Sequence, residues 1–220
     1  MNSLRSLSVA SLALLLLLNV TGCRSGYYAM MESFGKHKRD LLKQSLTDAS
    51  EEQQETSEQF KDTLTQLQEL TGSAGGELQE RYNAFTKDYE RSVSMSEDVS
   101  GRIRRVEQLA EDLFAEWESE LNEIGSATLR SSSQSKLMQT QVRYRKLHSS
   151  LVRAEEAMPP VLAQMKDYVL YLKHNLNAQA IGSLQDEALN IEQEIGQLIA
   201  DMNASIEETQ SFINILDGGE

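Results

Sequence analysis

L-Q-E-R-Y-N-A-F-T-K-D-Y-E-R-S-V-S-M-S-E-D-V-S-G-R-I-R-R-V-E-Q-L-A-E-D-L-F-A-E-W spans residues 78–117. Leu78, Tyr82, Phe85, Tyr89, Ser92, Ser96, Val99, Ile103, Val106, Ala110, Leu113 and Trp117 alternate at spacings of four and three. Such sustained spacing places one stripe along a helix and predicts a left-handed seam against other helices. The helix is expected over residues 77–124, on the order of 70 Å long at 1.5 Å per residue. Gly101 weakens it locally by about 1 kcal/mol relative to alanine.

The pattern extends in both directions. Residues 71–76, T-G-S-A-G-G, hold three glycines in six positions and predict a reversal. Before them, residues 27–70 carry Phe34, Leu41, Leu42, Leu46, Phe60, Leu64, Leu67 and Leu70 at helical spacings. The middle of that segment, S-E-E-Q-Q-E-T-S-E-Q, is almost wholly polar, so weak packing is expected there.

After residue 123, I-G-S-A-T-L-R-S-S-S (124–133) reads as a break, with Ser131–Ser133 as capping serines. The seam then resumes at Leu137, Thr140, Tyr144, Leu147, Leu151, Ala154 and Met158. Charge supports a hairpin. Residues 107–123 hold seven carboxylates and no Lys or Arg, whereas residues 124–154 hold six Lys or Arg and no carboxylate. Folding one block onto the other selects the pairing more than it stabilises it, since an exposed ion pair contributes about 0.2–1 kcal/mol.

Pro159 and Pro160 predict a kink, because proline removes a helix donor. The stripe nevertheless continues through Leu162, Met165, Val169, Leu172 and Leu176. Farther on, Gly182 and Ser183 suggest the end of one helix and the cap of the next. A last segment carries Leu184, Ala188, Ile191, Ile195, Leu198, Met202, Ile206, Ile213 and Leu216. Beyond Lys173 there is no Lys or Arg, while nine carboxylates remain.

Two topologies follow. If the chain turns at Gly182, the protein is an all-α, elongated antiparallel bundle running up-down-up-down over residues 36–220. If it does not turn, one long kinked helix leaves a seam that a second copy would cover as a homo-oligomer. Matching lengths favour the bundle, as does an acidic last helix returning toward Lys36–Arg39.

Composition agrees with a helical body. Apolar residues make up 40% and charged residues 25%, with two prolines and few aromatics. The formal charge of −13 argues against nucleic acid as a partner, because that affinity rests on cations.

The N-terminus carries a different message. Arg5 precedes an apolar stretch from Val9 to Val20, too short to span about 30 Å of hydrocarbon, and the chain's one cysteine follows. Residues 1–22 are therefore expected to be an export signal. V-T-G-C (20–23) resembles the bacterial lipobox. That resemblance implies cleavage between Gly22 and Cys23, acylation of Cys23 and a membrane partner reached through its acyl chains. Two or three chains hold firmly, at about 0.8 kcal/mol per buried methylene. Arg24 after the cysteine implies, by the same resemblance, the periplasmic face of the outer membrane. Residues 23–35 would form a tether. Lys36, Lys38 and Arg39 are candidate contacts for anionic head groups, or equally the solvated first turn of a helix.

No catalytic constellation appears. His37, His148 and His174 lie far apart, so no zinc spacing exists, and no cofactor or enzymatic activity is expected. The acidic runs read as solvated faces. G-S-A-G-G lacks a phosphate-loop lysine. Trp117, Tyr82, Met30, Met31, Met158 and Met165 read as core.

A longer resemblance lies in Y-Y-A-M-M-E-S-F-G-K-H-K-R-D (27–40), D-L-F-A-E-W-E-S-E-L (112–121) and V-L-Y-L-K-H-N-L-N-A-Q-A-I (169–181). Together these resemble domain-of-unknown-function family 2959, predicted lipoproteins of Gram-negative bacteria. The likeness implies an envelope lipoprotein with a helical body and implies no activity. The expected role is a structural spacer or protein-interaction module in the envelope. The alternative is an accessory or regulatory subunit of an envelope enzyme or transporter. A membrane-remodelling helix fits the acidic surface less well.

Overall fold

The computed structural model describes residues 38–72 and 77–218. Cys23, Gly22, Lys36, His37, Met30 and Met31 lie outside the described residues, as do the signal and tether. Among the described residues five helices follow one another: α1 (Lys38–Thr71), α2 (Leu78–Leu121), α3 (Ala127–His174), α4 (Ala178–Ser183) and α5 (Gln185–Leu216). Among the described residues there is no strand.

The compact unit Leu42–Glu220 is an antiparallel four-helix bundle with the short α4 set in its last turn. Contacts fix the order. Thr63 meets Ser92 between α1 and α2 at 2.9 Å. Phe85 meets the edge of Tyr168 between α2 and α3, with ring centroids 5.8 Å apart. Tyr144 and Phe212 join α3 to α5 at 5.8 Å. Lys43 and Asp217 close the ring between α1 and α5. Register runs in opposite senses at every interface, so the path is up-down-up-down.

Heptad spacing explains the seam. Leu78, Phe85, Val99, Ile103, Val106 and Ala110 of α2, Leu147, Leu151, Ala154, Met158 and Met165 of α3, and Ile191, Ile195, Leu198 and Met202 of α5 are all buried. Near the end of α2, Phe114 is buried while Leu113 and Trp117 are half-buried. A straight helix drifts by about 20° per heptad, so the strict repeat moves off the interface. Trp117 still finds a partner, donating from Nε1 to Ser133 Oγ at 2.9 Å.

Several expectations need correction. The polar middle of α1 is not loosely packed: Gln53, Thr56 and Ser57 are fully buried, and Gln59 nearly so. Hydrogen bonds compensate Gln59, whose Nε2 donates to Thr63 Oγ1 and to the Asp88 carbonyl. The break after α2 is shorter than 124–133. Ser126 caps α3 by accepting from the Leu129 N–H, and Ser131–Ser133 lie inside the helix. An extended backbone at Ser126 lets its hydroxyl reach the third helical N–H.

α3 runs for 48 residues with Pro159 and Pro160 inside it, the continuity expected from the stripe beyond them. Both prolines are exposed, so water can meet the Glu155 and Glu156 carbonyls that lose a donor. The chain does reverse before α5, and a helix closes one residue past Gly182, at Ser183. α3 ends at His174, and Asn177 caps α4 by accepting from the Ala180 N–H at 3.0 Å. Gly182 sits within α4, while Ser183 donates back to the Ala180 carbonyl instead of capping α5.

The charge blocks on α2 and α3 do lie side by side. Glu107 meets His148 at 2.6 Å, and Glu118 accepts from Gln141 at 3.1 Å. Lys146 turns away from α2 to pair with Glu208 of α5. The acidic last helix thus draws cations from α1 and α3 alike.

Candidate functional site

Two helices of the bundle leave a groove between them. It lies between the C-terminal quarter of α3 and the N-terminal half of α5, with a volume of about 900 Å³. Gln164, Asp167, Tyr168 and Tyr171 line it from α3, and Glu187, Asn190, Ile191, Glu194 and Gln197 from α5. These side chains share a face by helical spacing: 164, 168 and 171 on one helix, and 187, 190, 191 and 194 on the other. Leu184 closes the end nearest the turn.

Tyr168 forms the floor. It is 3% exposed, its ring packs on Phe85, and its Oη has no hydrogen-bond partner. Burial pushes its phenol up to about 12, and the Glu187 carboxylate adds to the shift. The hydroxyl therefore keeps its proton at neutral pH. Neighbouring backbone is fixed by Tyr82, whose hydroxyl donates to the Val169 carbonyl at 3.3 Å. Tyr171 is 43% exposed and presents an accessible aromatic ring.

Three carboxylates rim this floor, from Asp167, Glu187 and Glu194, and no Lys or Arg lines it. Among the described residues none of the three carboxylates sits in an ion pair. The groove thus combines negative charge, an apolar floor and several side-chain amides. Chemically it can hold a cation with an apolar stem; it offers no nucleophile–base pair.

A second polar feature lies inside the bundle. Gln53, Thr56, Ser57 and Ser205 are buried with side-chain oxygen or nitrogen atoms that lack partners. Beside them Thr63, Gln59 and Ser92 form a satisfied network on the Asp88 carbonyl.

Among the residues singled out from the sequence, Lys38 and Arg39 fall in the first turn of α1, half-buried and exposed respectively. His148 pairs with Glu107, and His174 lies in the last turn of α3. Among the described residues no three His, Cys, Asp or Glu side chains come together as a metal site. No described helix is long and apolar enough to cross a membrane. The groove was not read from the sequence. Its one signal in the sequence is the acidic stretch after Lys173, which by itself points equally to charge closure with the basic residues near Lys36–Arg39.

A family model described as protein of unknown function, DUF2959, matches residues 27–216. No curated protein matches the sequence.

Proposed function

The chain belongs to the DUF2959 family of proteins of unknown function, and on that premise we propose an envelope lipoprotein, anchored in the outer membrane through Cys23, whose helical bundle is a periplasmic spacer or protein-interaction module. The observation that carries this reading is V-T-G-C at 20–23 behind an apolar run that ends at Val20. A thiol placed there meets the lipid-transfer chemistry that the motif serves, and multiple acyl chains make the attachment durable.

Fractionation tests the anchor. The wild-type protein is expected in the outer-membrane fraction after a high-salt wash and to incorporate labelled palmitate. Cys23→Ala is expected to lose both. If Cys23→Ala remained with the outer membrane, or if mass spectrometry found Met1 retained and the thiol bare, the reading would fail.

The groove favours a second reading, an accessory subunit that responds to a bound molecule and biases an envelope enzyme or transporter. Crosslinking with mass spectrometry separates the two: one stoichiometric enzyme partner supports regulation, and self-contacts alone support a spacer.

A further inference from the structure

We infer that α1 is a strap: it opens off α2 and α5 as an intact helix and recloses, and its polar inner face lets it do so while the other helices stay packed. The argument is independent of acylation at Cys23.

The inner face of α1 sets it apart. Between Ala49 and Phe60 every buried side chain is polar: Gln53, Thr56, Ser57 and Gln59. Over a comparable length of α2 the buried residues are Val99, Ile103, Val106, Leu109 and Ala110, all apolar. Gln59 is bonded to Thr63 and to the Asp88 carbonyl. Gln53 Oε1 and Nε2, Thr56 Oγ1 and Ser57 Oγ have no partner. Positions 53, 56 and 57 lie on one face of the helix by their spacing. Ser205 Oγ of α5 is also buried without a partner. The Lys43–Asp217 pair sets α1 antiparallel to α5. At equal rise from that pair, Gln53 comes level with residue 207 and Ser57 with residue 203, so Ser205 stands at the same level of the bundle.

A buried polar group without a partner favours any state in which water reaches it. Such groups gathered at one level make the α1 interface the place where opening recovers most hydration. The other interfaces are closed by rings. Phe85–Tyr168 and Phe114–Tyr144 join α2 to α3, and Tyr144–Phe212 joins α3 to α5. α1 carries one aromatic, Phe60. Surface ion pairs clip it shut: Arg102 reaches Asp48 at 3.8 Å and Glu52 at 3.6 Å, Arg81 meets Glu69, and Lys43 meets Asp217. Exposed pairs of this kind are weak and screened by salt. Leu42, Leu46, Leu67 and Leu70 are buried toward its two ends and draw it back.

Release does not require α1 to unfold. Its sequence is rich in Glu, Gln and Leu, which favour helix, and Gln54 donates to Glu58 one turn on at 2.9 Å. Opening therefore costs the apolar contacts of one helix, not those of the whole core, and lies below global unfolding.

Native-state hydrogen exchange read by mass spectrometry, on the full chain in detergent with urea below the unfolding transition, tests this. Peptides across residues 47–66 of α1 are expected to exchange about tenfold faster than peptides across residues 99–110 of α2, and to do so as one block. Gln53→Met with Thr56→Val and Ser57→Ala makes the inner face apolar and is expected to slow α1 exchange about tenfold. Circular-dichroism melts check that this variant stays folded, and the wild-type comparison stands without it. α1 peptides that exchange no faster than those of α2 overturn the proposal, because α1 would then open only with the whole bundle. Exchange that falls steadily from the ends of α1 to its middle overturns it too, since that is fraying. So does a folded triple variant whose α1 exchanges as fast as the wild type, because the polar face would not be the cause.

Discussion

Thr63 Oγ1 and Ser92 Oγ stand 2.9 Å apart across the α1–α2 interface, and both side chains are fully buried. Thr63 also donates toward the Gln59 and Asp88 carbonyls, and Ser92 toward Asp88. Removing either hydroxyl loses the bond between them while the other keeps its backbone acceptor, and once one is gone the second removal no longer loses that bond. Ser92→Ala and Thr63→Val are therefore each expected to cost about 1–2 kcal/mol, and the double variant less than their sum by about 0.5–1.5 kcal/mol. Urea denaturation of the four proteins closes the cycle; strict additivity would show that the two hydroxyls do not interact.

Gln53 presents the opposite case. It is fully buried, and neither Oε1 nor Nε2 has a partner. Methionine has nearly the same length and shape without the polar atoms. Gln53→Met is expected to raise stability by about 1–3 kcal/mol, the cost of an unpaired buried group. A rise in the urea midpoint at unchanged slope checks it. A loss of stability would mean that the amide is satisfied in solution, for example by trapped water.

How much of this was legible beforehand depends on what each residue signals by itself. The seam of α2 is legible from Leu78 to Ala110 because the four-and-three spacing holds there, even where buried Ser92 and Ser96 replace apolar residues and Tyr82 and Tyr89 stay half-buried. It failed at Leu113 and Phe114, where the real helix drifts off a strict heptad. The burial of Gln53, Thr56 and Ser57 is not legible, because a polar side chain looks the same in sequence whether a neighbouring helix covers it or water does. At the last reversal glycine is legible, since a helix closes one residue past Gly182; the Asn177 cap that opens α4 five residues earlier carries a weaker signal. The groove was invisible for a different reason. Tyr168 and Glu187 lie on separate helices, and only the register across the α3–α5 turn brings them together.

Alkaline pH offers a test of the buried phenols. Tyr144 is raised well above the usual value near 10 by burial and by the Glu107 and Glu111 carboxylates. Tyr168 is pushed up to about 12 by burial and by Glu187. In both, the folded state holds its proton when the unfolded chain would release it. The stability they supply is complete below about pH 10 and is lost as pH rises through the folded values. Unfolding free energy is thus expected to fall from about pH 10 upward, and Tyr168→Phe to flatten that fall between about 10 and 12. Phenolate absorbance under native conditions should show late ionisation that disappears in denaturant. Early ionisation of every tyrosine would contradict the burial of Tyr144 and Tyr168.

Pro159 and Pro160 test how α3 survives two missing donors. The helix passes through both, and both are exposed. Proline inside a helix costs about 3 kcal/mol relative to alanine, and solvation of the Glu155 and Glu156 carbonyls offsets part of that. Proline also stiffens the unfolded chain, which offsets a further part. Pro159→Ala with Pro160→Ala is therefore expected to stabilise the bundle by about 2–4 kcal/mol. Hydrogen exchange should slow along α3 on both sides of the substitution, because a continuous ladder resists local opening. The Met158 and Val161 contacts on the buried face should be unaffected, since the prolines occupy the other side. If the double variant were less stable, the prolines would be holding a bend that the packing of α3 requires, and the uninterrupted helix would be the wrong description of this segment.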